Sequence, residues 1–269
     1  MALGIALTLP SVQTRIAKYF VASINKDFGI NIAIDEVAVS VFGGVKLKNV
    51  LILDHHKDTL IYANRIKTNI LDSSKLLDGD LIFGDLGVDG MYFNMKTYKN
   101  EKKSNLDKFI AAFENDKPPS QKHFLLTAKY AKISNGHYTL IDQNRKNPKD
   151  VDFTKIKTYL TNFKLYGPEV STLISKMSFQ DHRGIFVENL STKFSYTKKQ
   201  IKLENLDLVT KESNLKGAIA LNYDINKGDF LHFTDKVPFD IQLDKAIAPL
   251  RLDSLVTKSR FSSLICFLV

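Results

Sequence analysis

The chain has 269 residues, 44% hydrophobic and 25% charged. It can bury a large core as one elongated domain or two compact ones, and it is neither disordered nor collagen-like in composition. The formal net charge of +9 is carried almost wholly by lysine, with arginine at six positions, which argues against a nucleic-acid groove.

The lysines stand singly, often at alternate positions as in Lys46 and Lys48 or Lys155 and Lys157. That spacing belongs to a solvated sheet face; attraction to anionic lipid remains a second reading. Cys266 is the only cysteine, which excludes an intramolecular disulfide and a cysteine-based metal site. Both the cytosol and the periplasm are compatible with such a chain.

The N-terminal "MALGIALTLP" is apolar but far shorter than the ~20 residues of a spanning helix. Two readings stand: the last third of a membrane helix that starts upstream, or the end of a buried helix. Residues 11–28 carry Val12, Ile16, Phe20, Ile24 and Phe28 at four-residue spacing. An amphipathic helix follows, with Pro10 suited to its first turn and Gly29 to its C′ position. Residues 1–29 are thus expected to form an anchor end and an amphipathic helix.

From Ile30 onward apolar and polar residues alternate, so antiparallel strands with one wet and one dry face are expected. Residues 30–114 make a first β segment. Its phase slips at Asp35-Glu36, and Leu106, Phe109, Ile110 and Phe113 mark a short helix at 104–114, with Ser104 or Asn105 as cap. A single helical turn is expected at 73–80. The polar stretch 115–122 reads as a linker and 123–245 as a second β segment. "VKLKNVLIL" (45–53), "GIFVENLST" (184–192), "IKLENLDLV" (201–209) and, more loosely, "AKISNGHYTL" (131–140) share a form whose dry-face phase shifts at the Asn. A bulge or tight corner at each Asn explains this. After Lys245 the alternation stops, and residues 246–269 read as an atypical tail, either frameshifted or a genuine C-terminal strand.

Asp54-His55-His56-Lys57-Asp58 is the one histidine-rich knot. Adjacent strand residues point to opposite faces, no HxH or HExxH spacing is present, and a zinc site needs three or four ligands. The knot therefore reads as a hairpin turn, with no metal or cofactor assigned. No nucleophile elbow, P-loop or dinucleotide fingerprint occurs, and no catalytic residue is assigned.

A sheet with one apolar face must cover it. It does so either as a β-sandwich, a binding module for a glycan or a protein partner, or as a trough that accepts acyl chains. The trough candidates, chosen by alternation, are Val39, Val41, Leu47, Met91, Phe93, Met95, Leu203, Ile219 and Leu221.

The order of segments from "LTLPSVQTRIAKYF" through "LLDGDLIFGDLGVDGMYFNMKTYKNEKKSNLDKFIAAF", "FLLTAKYAKISNGHYTLIDQNRKNP" and "NLKGAIALNYD" resembles the N-terminal part of TamB-like proteins. These belong to the AsmA-like group, and the likeness is to the Bacteroidetes branch over roughly residues 5–245. The resemblance implies an elongated β-groove (a β-taco) in the periplasm, held to the inner membrane by an N-terminal helix and without enzymatic activity. It also implies a role in outer-membrane protein assembly or phospholipid transfer. The implied partners are membrane phospholipid and an outer-membrane barrel-assembly-type protein.

Overall fold

The computed structural model describes residues 14–15, 18, 21–22, 25–26, 29–40, 44–70, 75, 80–112, 125–167, 169–222 and 239–247. The apolar stripe of the expected N-terminal helix, Val41, the 115–122 linker and most of both the 73–80 turn and the tail lie outside these residues. The strands are β1 (Asn31–Val39), β2 (Gly44–Leu53), β3 (Thr59–Ile70), β4 (Leu81–Thr97), β5 (Leu125–Asp142) and β6 (Lys149–Tyr166). They continue with β7 (Glu169–Asp181), β8 (Phe186–Tyr196), β9 (Gln200–Thr210), β10 (Asn214–Asn222) and β11 (Phe239–Ile247). All eleven belong to one open sheet, in chain order.

The sheet is mixed, which corrects the all-antiparallel expectation. Nine neighbouring pairs are antiparallel, whereas β4 and β5 run parallel, Leu81 beside Leu126 through Thr97 beside Asp142. A parallel pair needs a crossover that returns the chain to its starting end. That crossover contains an α-helix, α1 (Asn105–Ala111). Ser104 caps it: its Oγ accepts from the Asp107 amide at 3.1 Å, and the Asp107 carboxylate accepts from the Ser104 amide at 2.8 Å. This is the capping box that the Ser–x–x–Asp spacing permits.

The phase shifts are visible as jumps in the buried series. On β6 burial passes from Val151 and Phe153 to Ile156 and Thr158; on β9 from Ile201 and Leu203 to Leu206 and Leu208. The residue at each jump is in the left-handed region, Lys155 at φ 54° and Asn205 at φ 53°. Asn49, Asn135 and Asn162 behave alike, at φ 50°, 54° and 53°. Each inserts one residue into the pleat and turns the strand, so the apolar side chains beyond it return to the same face. Gly90, at φ 64°, lies opposite Asn64, where a Cβ would come within 2.9 Å of that residue's own Cβ.

The core sits on the dry face of β5–β10. Tyr138, Phe153, Phe179, Phe194, Leu190 and Ile201 are each at most 2% exposed and pack into one cluster. Phe153 and Phe179 stack with ring centroids 4.4 Å apart. At the far edge β1 is dressed by side chains. Thr14 Oγ1 bonds both the amide and the carbonyl of Val37 at 3.0 and 3.1 Å, and Asn25 does the same for Ile32 at 2.8 Å each. Those groups would otherwise offer a template for another strand. No helix among the described residues is long and apolar enough to cross a membrane.

Candidate functional site: an apolar cavity walled by the crossover helix

Where α1 lies over the dry face, a cavity of about 330 Å³ remains between helix and sheet. Leu106, Phe109 and Ile110 of α1 form one wall. Met91 and Phe93 of β4 stand opposite, and the floor continues over Ile156, Leu160 and Phe163 of β6 to Val170, Ile174 and Met177 of β7. Among the described residues no acid, lysine or arginine lines it; His137, Tyr138, Thr158 and Thr172 are the described liners with polar side-chain atoms. The Tyr138 hydroxyl is turned to Met95 Sδ, 3.6 Å away. Such a lining accepts apolar groups and offers nothing that would hold a charged one.

The sequence-predicted liners divide. Met91 and Phe93 face the cavity, and Met95 packs on the adjoining core. Leu203, Ile219 and Leu221 are at most 1% exposed and lie inside the core cluster, because the inward side chains of β8, β9 and β10 pack directly on one another. Val39 is 41% exposed at the end of β1, beside a separate shallow depression, and Leu47 is half-buried on β2. The α1 residues and the β6–β7 liners were not among the predicted set. The signal for α1 was present, since a short helix with three apolar residues on one face must rest on apolar surface.

One end of α1 is tied to the β2–β3 hairpin by a buried carboxylate. The 55–58 stretch is that hairpin's turn, as the sequence predicts. Asp54, 3% exposed, accepts from four donors: the amides of His56 and Asp58 at 2.9 and 3.0 Å, the Tyr98 hydroxyl at 2.7 Å and Asn105 Nδ2 at 3.0 Å. Burial opposes its ionisation, but the bonds from Tyr98, Asn105 and the two amides outweigh it and hold the carboxyl below its ordinary range. Burial, then the hydrogen bond to Asp54 and that carboxylate's charge, push the Tyr98 phenol upward. Asn105 also donates to the Asn94 carbonyl at 2.9 Å and accepts from the Lys96 amide at 2.8 Å, so the first residue of α1 is locked to β4.

Comparison with family models and with curated proteins gives no match. The fold and the site therefore define the class by themselves: a mainly-β protein of one open, mixed eleven-stranded sheet with an apolar cavity under its crossover helix.

Proposed function

We propose that this protein is a non-enzymatic lipid-handling component in which the sheet curls into a β-taco-like groove and the cavity beneath α1 receives an acyl chain. The observation that carries this is the lining of the cavity, which among the described residues is apolar on helix and sheet alike and free of fixed charge. About eight methylenes buried there would contribute roughly 6 kcal/mol of transfer free energy. The head group would stay in water at the groove mouth. The resemblance of segment order to TamB-like proteins supports a place in the periplasm, anchored to the inner membrane. It further supports work in outer-membrane protein assembly or phospholipid transfer, with an outer-membrane barrel-assembly-type partner.

The test is labelling by a phosphatidylcholine that carries a photoactivatable acyl chain, followed by peptide mapping. Adducts are expected on α1 and β4–β7. Phe93→Asp places a carboxylate in the lining and should cut labelling about tenfold or more while circular dichroism is unchanged. Labelling of Phe93→Asp and Leu160→Asp at the wild-type level would refute acyl binding in this cavity.

A further inference from the structure

The hairpin turn between β2 and β3 carries a second cluster, which lipid binding does not use. His56 Nε2 lies 2.8 Å from Glu101 Oε1, and His55 Nε2 lies 3.2 and 3.0 Å from the two Glu101 oxygens. One ligand-capable atom from each of the three residues falls within 4.8 Å of the other two. On a strand the two imidazoles would point apart, but here they occupy a turn. Asp54 fixes that turn through the His56 and Asp58 amides, and Lys57 takes φ 63°. The rings consequently sit side by side, with centroids 4.4 Å apart.

Each member of the cluster is also positioned from outside it. The Tyr98 ring, pinned by Asp54, packs against both imidazoles with centroids 3.9 Å from His56 and 5.4 Å from His55. Lys108 of α1 donates to Glu101 Oε2 at 2.8 Å, which leaves Oε1 as the freer carboxylate oxygen. A pocket that merely neutralised Glu101 would need only the lysine; two imidazoles converging with a carboxylate is the donor set of a His₂Glu metal site.

We propose that His55, His56 and Glu101 bind one divalent transition-metal ion of the Zn²⁺ type. Bonds of about 2.0–2.2 Å in tetrahedral geometry set ligand atoms roughly 3.3 Å apart, a few tenths of an ångström wider than the present His–Glu separations of 2.8–3.2 Å, and the ligand atoms already lie within 4.8 Å of one another. The His56 side chain is half-exposed and those of His55 and Glu101 are partly exposed, which accommodates that opening. Two imidazole nitrogens select zinc, cobalt, nickel or copper over magnesium and calcium, which prefer all-oxygen shells. Three protein ligands leave a coordination position to water. The ion would join the β2–β3 turn to the loop before α1, with Lys108 carrying the link into α1 itself, and so clamp the helix that walls the cavity.

The experiment is a titration of the tag-free, chelator-treated full chain with Zn²⁺ in competition with a chromophoric chelator, repeated with Co²⁺ read by visible absorbance. One ion per chain is expected. His55→Ala, His56→Ala and Glu101→Gln should each weaken binding tenfold or more, whereas His182→Ala, at an exposed histidine in the turn between β7 and β8, should leave it unchanged. All four positions are at the surface or half-buried, and circular dichroism verifies the fold of each variant. Zn²⁺ affinity equal in wild type and His55→Ala/His56→Ala would overturn the proposal, as would a wild-type stoichiometry well below one.

Discussion

Asp54→Asn removes a charge without changing the shape of the side chain, and the four bonds around Asp54 set the size of the effect. An amide oxygen in place of Oδ1 still accepts from His56 and Asp58. The new NH₂ group in place of Oδ2 faces two donors, the Tyr98 hydroxyl at 2.7 Å and Asn105 Nδ2 at 3.0 Å. Tyr98 can turn its proton away and accept; Asn105 cannot do so without giving up the Asn94 carbonyl. A hydrogen bond to a charged group is worth about 1.5–3 kcal/mol net, so the loss should be about 3 kcal/mol at pH 7. Urea unfolding followed by circular dichroism measures it. The pH dependence is the stricter check. A carboxyl whose folded pKa lies below its unfolded value contributes stability that is present above about pH 4 and is lost as pH falls through the folded pKa. Asn does not titrate, so the gap between wild type and variant should be constant from pH 7 to 5 and should narrow below pH 4. A loss under about 1 kcal/mol, or a gap that stays the same at pH 3, would refute the view that Asp54 is an ionised anchor for α1.

Two further outcomes are expected. Phe179→Ala empties the space against Phe153 and should cost about 3–5 kcal/mol in urea unfolding, whereas Leu173→Ala, on the exposed side of the same strand, should cost under about 0.5 kcal/mol. Gly217→Ala would put a Cβ 2.0 Å from the Gln242 carbonyl oxygen, so β11 should lose its pairing with β10, seen as faster hydrogen exchange at 241–246 with β1–β9 unchanged.

Much of the fold can be read from alternation, because a sheet with one dry face prints its pleat on the sequence. The corners can be read too where Asn marks them, since Asn tolerates the left-handed region better than most residues. Of the four Asn that stood out in this way, Asn49, Asn135 and Asn205 take the left-handed region and Asn189 does not; Lys155 takes it with no compositional cue. The parallel step between β4 and β5 was hidden, because a helix between two strands of like pattern is equally compatible with either relative direction. The cavity was half legible for a similar reason. Alternation says which face a residue points to, not how closely that face is covered, so Met91 and Phe93 carry the same pattern as the core residues Leu203 and Ile219. Glu101 could not be associated with His55 and His56 from sequence, since only the tertiary fold brings the loop after β4 to that turn.

The sheet lists its strands in the order in which they are synthesised. Apart from the β4–β5 step and the longer connection from Asn222 to Phe239, each strand emerging from the ribosome meets its partner as the last element made, so growth can proceed by successive hairpin closure at small entropic cost. At the β4–β5 step the chain must first span Thr97 to Leu125, close a loop several times longer than any tight hairpin at about 1–2 kcal/mol more, and seat α1. Refolding should therefore divide into two phases about that crossover, and the slower should be the one that completes the cavity.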